Sequence, residues 1–212
     1  MDPPAPEMVL YGGTFNPIHL GHLIIAEECR RRLGAARVLF LPAAQPPHKN
    51  DDIAPAEHRL EMVRLAAAAN PGFEVSDLEI ARGGRSYTID TVRELQRLAP
   101  SKKLHLLVGA DSVPDLPTWR DAKALLGACQ VVTAARHGWD TTAFDGIRGF
   151  FGDAAVDALR RFAFDTPVVE ISSTEIRRRL RAGERVRYWV PDAVEEYIRR
   201  HGLYGTGSAT CP

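Results

Sequence analysis

The chain has 212 residues, of which 45% are hydrophobic and 25% are charged, as is typical of a globular protein large enough to bury a core. Lysine plus arginine and aspartate plus glutamate each number 27, so the formal net charge is zero. This balance argues against nucleic acid or an anionic membrane as a partner, and any anion binding must be local. The three cysteines lack metal-ligand spacing, and no segment reads as a signal peptide or membrane helix. Together these features predict a cytoplasmic protein with free thiols.

Short apolar runs alternate along the chain with stretches of helical spacing. The predicted strands are 8–11, 38–41, 73–80, 104–108, 130–134 and 167–171. The predicted helices are 17–33, 55–70, 88–99, 121–128, 174–182 and 192–201. Such alternation predicts an α/β fold: a Rossmann-like, doubly wound, mostly parallel sheet with helices on both faces. Because ligands of these sheets bind beyond the carboxyl ends of the strands, we expect the loops there to meet at one edge.

One domain is predicted over residues 8–204, with flexible termini at 1–7 and 205–212. No repeat or linker divides it. The segment 141–165 is predicted to be helical and to form an insertion in the alternating pattern.

A glycine turn directly follows the first predicted strand, in the sequence Gly-Gly-Thr-Phe-Asn-Pro at 12–17. The two glycines allow the backbone to approach a bulky anionic ligand. Asn16 is predicted to cap the next helix, and Pro17 suits its first turn. A helix that begins there offers unpaired N–H groups and a positive dipole end, which favour phosphate.

His19 and His22 lie three residues apart at the start of that helix, so they are expected to share one face beside the anion site. Two other interpretations are a packed pair of imidazoles and half of a zinc site. Zinc would require a third protein ligand, which His48, His58 or His105 could supply.

A second helix start lies at 171–177, Ile-Ser-Ser-Thr-Glu-Ile-Arg. Ser172 and Glu175 have the spacing of a capping box, which a purely structural role would explain. Arg177 lies one turn into the helix, where its guanidinium could bind phosphate oxygens through charge-assisted hydrogen bonds. The other arginines of this helix are expected to form a solvated face.

Four shorter segments are weak signals when each is taken alone. Pro-Pro-His-Lys at 46–49 could be a simple turn, and Ser-Tyr-Thr at 86–88 could cap a helix. Gly-Ala-Asp-Ser at 109–112 follows a strand. Trp119 could be a packing residue, or its flat ring could stack on an aromatic base near a nucleotide site.

Taken together, these motifs resemble those of the nucleotidylyltransferase superfamily. His-Leu-Gly-His at 19–22 matches its (H/T)xGH signature, and 171–177 matches its ISSTxxR motif. With the four shorter segments, the chain is similar from Tyr11 to about Tyr204 to the bacterial nicotinate-nucleotide adenylyltransferases. The resemblance implies an enzyme of NAD biosynthesis that joins ATP and nicotinate mononucleotide, giving nicotinate adenine dinucleotide and pyrophosphate.

The resemblance also implies site residues and a cofactor. The implied catalytic residues are His19, His22 and Arg177. The implied ATP-binding residues are Gly12, Gly13, Thr14, Phe15, Gly109, Asp111, Arg136, Ser173 and Thr174. The implied mononucleotide-binding residues are His48, Lys49, Ser86, Tyr87, Thr88 and Trp119. The implied cofactor is Mg²⁺, held mainly by phosphates and water with no dedicated protein ligand set.

The sequence departs from the family pattern at two places. Ala43 and Ala44 stand where family members often carry asparagine, so a polar contact to the mononucleotide is missing or replaced. The segment 137–151 is longer than the pattern, which leaves the adenine side and the role of 137–165 open.

Alternatives within the enzyme class are adenylyl transfer to nicotinamide mononucleotide or phosphopantetheine, and cytidylyl transfer. From another class comes a nucleotide sensor without turnover, against which the intact histidines and Arg177 argue. A dehydrogenase is poorly supported, because no G-x-G-x-x-G follows the first strand. The oligomeric state stays open, with a homo-oligomer among the choices.

Overall fold

The computed structural model describes residues 8–46, 52–100, 102–136 and 142–208. Its six strands form one sheet in the order β3-β2-β1-β4-β5-β6, and every neighbouring pair is parallel. The strands are β1 Met8–Gly13, β2 Arg37–Pro42, β3 Phe73–Val75, β4 Leu104–Gly109, β5 Gln130–Arg136 and β6 Ala163–Thr166. The chain order reverses between β1 and β4, so the sheet has the switch point at which such folds bind ligands. The predicted fold class is confirmed.

Helices connect the strands and cover both faces of the sheet. They are α1 Leu20–Leu33, α2 Ala56–Ala67, α3 Leu78–Arg82, α4 Thr88–Leu98, α5 Ala122–Ala128, α6 Thr142–Gly146, α7 Arg148–Phe151, α8 Asp153–Arg161, α9 Ser173–Arg181 and α10 Asp192–Arg200. Short 3-10 turns lie at Ala110–Ser112, Leu116–Thr118 and Leu203–Ser208. None of the helices in the described ranges has the length and apolar character that a bilayer crossing demands.

Two apolar clusters hold the layers together, one on each face of the sheet. Along β1, Val9 packs into the cluster with Met62 of α2, whereas Leu10 packs into the cluster with Ile89 of α4. Successive side chains of a strand point to opposite faces, and both faces of this sheet are covered, so the strands read as continuous apolar runs.

Two predicted strand boundaries are wrong. The last strand is β6, which ends at Thr166, and 167–171 has no regular structure. Pro167 lacks the N–H group that would continue the ladder with β5. The predicted strand 73–80 stops at Val75, because the Ser76 hydroxyl accepts a hydrogen bond from the Leu78 N–H at 3.2 Å and the chain turns into α3.

The segment 142–161 contains three short helices, as predicted, but its continuation at Ala163–Thr166 is the edge strand β6. Cys29 and Cys129 are buried free thiols, and burial raises the pKa of each to about 12. Cys211 lies outside the described residues.

Candidate active site

The two motifs that are predicted to bind phosphate meet at the carboxyl edge of the sheet. Gly13 at the end of β1 is in register with Pro42 at the end of β2. The Ser173 hydroxyl at the start of α9 donates a hydrogen bond to the Pro17 carbonyl at 2.9 Å, across 156 residues of sequence. The expected convergence of these loops is therefore confirmed.

Asn16 does not cap α1, and this prediction is wrong. Its side-chain oxygen accepts hydrogen bonds from the Ala54 N–H at 3.0 Å and from the Tyr204 hydroxyl at 2.8 Å. Its side-chain nitrogen donates to the Asp52 carbonyl at 2.8 Å. The amide thus joins the glycine turn to two distant loops, and α1 begins only at Leu20, with His19 as its N-cap.

The two imidazoles lie together at the start of α1. The His19 N–H donates to His22 Nδ1 at 3.2 Å, and the two rings stack with centroids 3.7 Å apart. The Phe15 ring meets the His22 ring edge-on at 5.2 Å. Because Nδ1 of His22 accepts a hydrogen bond, a neutral His22 carries its proton on Nε2. Within the described ranges, no three His, Cys, Asp or Glu side chains are grouped as metal ligands.

Helix α9 begins with the predicted cap. The Glu175 N–H donates to the Ser172 hydroxyl at 3.2 Å. One turn further, Arg177 donates to the Asn16 carbonyl at 2.9 Å, so it contacts the turn that leads to the histidines. The same guanidinium pairs with the Asp52 carboxylate at 3.0 Å. Arg181 and then Arg177 lower the pKa of that carboxyl group.

A cleft of about 250 Å³ opens between the ends of β1 and β4. Four of the implied ATP-binding residues and three of the implied mononucleotide-binding residues line it: Gly12, Gly13, Thr14, Gly109, Ser86, Thr88 and Trp119. A Cβ atom on Gly109 would meet Asp111 Oδ1, so the Asp111 carboxylate lies directly against the end of β4 and would have to turn aside for a larger residue. The structure thus brings most of the predicted site together.

The remaining predicted residues are placed differently. Phe15 is buried beneath the turn, and Thr174 is exposed at the start of α9. The Tyr87 ring packs under the Arg120 guanidinium at 4.7 Å and does not line the cleft. His48, Lys49 and the side chain of Arg136 lie outside the described residues, so their roles stay predictions.

The loop after β2 carries Ala43 and Ala44, where the family pattern has asparagine. Hydrogen bonds from its backbone hold this loop in place. The Ala44 N–H donates to the Ser86 hydroxyl at 2.9 Å, and the Ser86 N–H donates to the Gln45 carbonyl at 2.9 Å. Main-chain bonds to Ser86 therefore fix the loop that carries Ala43 and Ala44.

Arg59 of α2 is a site residue that the sequence analysis missed. It is 1% exposed, and its guanidinium donates to three backbone carbonyls: Thr14 at 2.8 Å, Ala44 at 2.9 Å and Ala54 at 2.9 Å. It therefore ties the phosphate turn to the loop after β2. Its position on the buried stripe with Met62, Val63 and Ala66 could have revealed it, since an arginine on an apolar face needs polar partners.

Replacing Arg59 by methionine is expected to lower the free energy of unfolding by about 2–4 kcal/mol, because three part-buried carbonyls lose their donor and the loops that they belong to lose their common anchor. Urea denaturation followed by circular dichroism measures the change. Arg64→Met on the exposed side of the same helix serves as the control and should change stability by less than about 0.5 kcal/mol. Equal effects of the two substitutions would contradict the clamping role.

Comparison with known proteins places this geometry in a class. Residues 10–179 match the model of the cytidylyltransferase-like family, and this match shows that the chain belongs to that family of nucleotide-handling proteins. A protein from Thermus thermophilus is 48% identical over 92% of this chain and 97% of its own length. A protein from Geobacter sp. is 46% identical over 92% of this chain and 96% of its own length. Both are named probable nicotinate-nucleotide adenylyltransferase, and the chain belongs with that family.

Solved structures show the same fold. The nicotinic acid mononucleotide adenylyltransferase of Plasmodium falciparum in complex with NaAD superposes with a TM-score of 0.74 at 17% identity, over 95% of this chain and 98% of that one. The same enzyme in complex with APC superposes with a TM-score of 0.73 at 16% identity, over 96% of this chain and 100% of that one.

Proposed function

We propose that this protein transfers the adenylyl group of ATP to nicotinate mononucleotide, giving nicotinate adenine dinucleotide and pyrophosphate in NAD biosynthesis. The observation that carries the proposal is the meeting of two helix starts, each predicted to bind phosphate, next to the glycine turn whose residues Gly12, Gly13 and Thr14 line the cleft. The start of α1 with its two histidines and the start of α9 with Arg177 join through Ser173 and Pro17, 2.9 Å apart. The names of relatives at 46–48% identity support the same reaction.

In the proposed mechanism, a phosphate oxygen of the mononucleotide attacks the α-phosphorus of ATP in line, and pyrophosphate leaves. The nucleophile is already an anion at neutral pH, so no covalent enzyme intermediate is needed. The protein contributes alignment of two groups that repel each other, and stabilisation of the charge that develops. In this mechanism His22 would donate from Nε2 to phosphate oxygens, and Arg177 would hold the leaving pyrophosphate.

We propose Mg²⁺ as the cofactor of this reaction. A magnesium ion prefers oxygen ligands and keeps several waters, and it neutralises phosphate charge when it is bound. The donors at the described edge are mainly imidazole, guanidinium and backbone N–H groups, which suit phosphate more than a cation. The ion would therefore take most of its ligands from the phosphates of ATP and from water.

The mononucleotide is assigned to the side of the cleft lined by Thr88 and Trp119. Trp119 would stack on the pyridine ring, and the start of α4 at Thr88 would receive the carboxylate. ATP is assigned to the opposite side, along Gly12, Gly13 and Gly109. The small-molecule substrates are the only partners proposed. We assign the enzyme to the cytoplasm, because its two buried cysteines are free thiols.

Replacing Trp119 by alanine is expected to raise the KM for the mononucleotide by about 10–100-fold, because the stacking surface is lost, while the KM for ATP changes less than about threefold. Steady-state kinetics with each substrate varied in turn measures both constants. Phe150→Ala serves as the control, because this partly exposed ring on α7 does not line the cleft. If the two substrates were affected equally by the loss of Trp119, the assignment of sides would be wrong.

The proposed reaction is tested by a paired-substrate assay. ATP and Mg²⁺ are mixed with the protein and with either nicotinate or nicotinamide mononucleotide, and pyrophosphate release is followed. Release with the acid, and much slower release with the amide, is the expected result. Faster release with the amide would reassign the substrate, and no release with either would favour a nucleotide sensor.

A further inference from the structure

Glu79 of α3 is a buried carboxyl group at the mononucleotide side of the cleft. It is 6% exposed, and it lines the cleft together with Thr88 and Trp119. The Thr91 hydroxyl donates to Glu79 Oε1 at 2.6 Å. The Ser86 hydroxyl also forms a hydrogen bond with this carboxyl group. Neither the chemistry of the phosphates nor the position of the pyridine ring accounts for an acidic group here.

The charges around Glu79 are few. The cation that acts on it is Arg82, at the end of α3, which donates to the Thr91 hydroxyl at 2.9 Å and pairs with Glu94 of α4 at 2.8 Å. Strand β2, on which α3 packs, presents Leu39 and Leu41 to the cluster with α4, and its one basic residue, Arg37, pairs with Glu74 of β3. Over the described residues, no basic side chain forms an ion pair with Glu79 itself. Burial raises the pKa of its carboxyl group, and the two hydroxyls and Arg82 only partly oppose this.

We propose that Glu79 takes up a proton when nicotinate mononucleotide binds, and thereby makes the preference for the acid over the amide depend on pH. Two carboxylates that share a desolvated cleft repel each other, so the charged ring substituent favours the protonated form of Glu79. The proton comes from solvent and returns to it when the product leaves. The neutral carboxamide of nicotinamide mononucleotide causes no such uptake. This inference rests on the proposed function and its assignment of sides.

The sign of the pH dependence follows directly. At low pH Glu79 is already protonated, so the acid binds without proton uptake and the preference for it is greatest. As pH rises through the pKa of Glu79, which burial places above 4.5, binding of the acid requires a proton that is increasingly scarce. The ratio of kcat/KM for acid to amide should therefore fall, approaching tenfold per pH unit. The ratio levels off above the pKa that the Glu79 carboxyl group has when nicotinate mononucleotide is bound.

Calorimetry on the unaltered protein tests the proton uptake. Each mononucleotide is titrated in two buffers of different ionisation enthalpy at the same pH. Both ligands carry the same phosphate, so its titration cancels in the comparison. The acid is expected to bind with an excess uptake of up to one proton over the amide, and the excess should vanish at low pH. Equal uptake with both ligands would overturn the proposal.

Two substitutions assign the effect to this side chain. Glu79→Gln should make the acid-to-amide ratio independent of pH. Thr91→Val removes a donor to the carboxylate, so the fall of the ratio should move to higher pH. Glu61→Gln, an exposed carboxyl on α2, should leave the profile unchanged. An unaltered profile in Glu79→Gln would overturn the proposal, and a merely structural role would change both substrates equally at every pH.

Different results would contradict the proposed reaction and the proposed proton uptake by Glu79. Binding of both mononucleotides without pyrophosphate release would count against the proposed reaction alone, because calorimetry still reports the proton taken up by Glu79. Turnover of both with identical pH profiles would count against Glu79 alone.

Discussion

Replacing His22 by alanine is expected to lower kcat by about a hundredfold or more, equivalent to about 2.7 kcal/mol of transition-state stabilisation. The imidazole lies at the start of α1 and stacks on His19 with ring centroids 3.7 Å apart, so its removal takes a positioned donor from the proposed phosphate site. The affinity for ATP should fall much less, because the glycine turn, the start of α9 and Arg177 remain.

Steady-state kinetics at saturating concentrations of both substrates measures this loss. His58→Ala is a matched control, since His58 hydrogen-bonds the Tyr197 hydroxyl at 2.9 Å on another face of the molecule. Unchanged turnover in His22→Ala, with the same folded spectrum as the parent protein, would reject the catalytic assignment of His22.

Replacing Arg177 by alanine is expected to reduce kcat/KM for ATP by about 100–1,000-fold, because charge-assisted bonds to the leaving pyrophosphate are lost. Arg177→Lys should restore only part of the activity, since an ammonium group cannot bridge two oxygens with the planar geometry of a guanidinium.

The neighbouring residue provides the control for this prediction. Arg178 lies on the same helix but pairs with Glu175 at 2.8 Å and Glu184 at 3.3 Å, and its side chain is largely exposed. Arg178→Ala should stay within about twofold of the parent activity, as surface ion pairs contribute little. Comparable losses from both substitutions would mean that the overall basic character of α9, and no specific contact, attracts ATP.

The fold could be predicted from the sequence wherever periodicity and strand length agreed. The buried runs that became β1, β2, β4 and β5 were identified because their apolar residues are continuous and helices separate them. The last strand was placed too late because 167–171 is richer in β-branched residues than Ala163–Thr166. Backbone pairing with β5 determines that Ala163–Thr166 forms the strand, and this pairing cannot be inferred from the sequence.

The site was predictable where its residues are consecutive. The glycine turn, the histidine pair and the start of α9 each form a short motif, so the chemistry that they suggest can be inferred from the sequence alone. Arg59 and Glu79 were missed because their partners lie elsewhere in the chain: the Thr14 carbonyl is 45 residues from Arg59, and the Thr91 hydroxyl is 12 from Glu79. Asn16 was misassigned for the same reason, since distant loops compete for its amide.

The ion pair between Arg177 and Asp52 has a consequence for selectivity among small anions. Under the proposed assignment, a ligand must displace a resident carboxylate before it can reach the guanidinium, which donates to Asp52 at 3.0 Å. A lone orthophosphate or sulfate gains little from that exchange. A triphosphate that is anchored elsewhere along the edge can complete it, so the free enzyme would resist occupation by the inorganic anions that surround it.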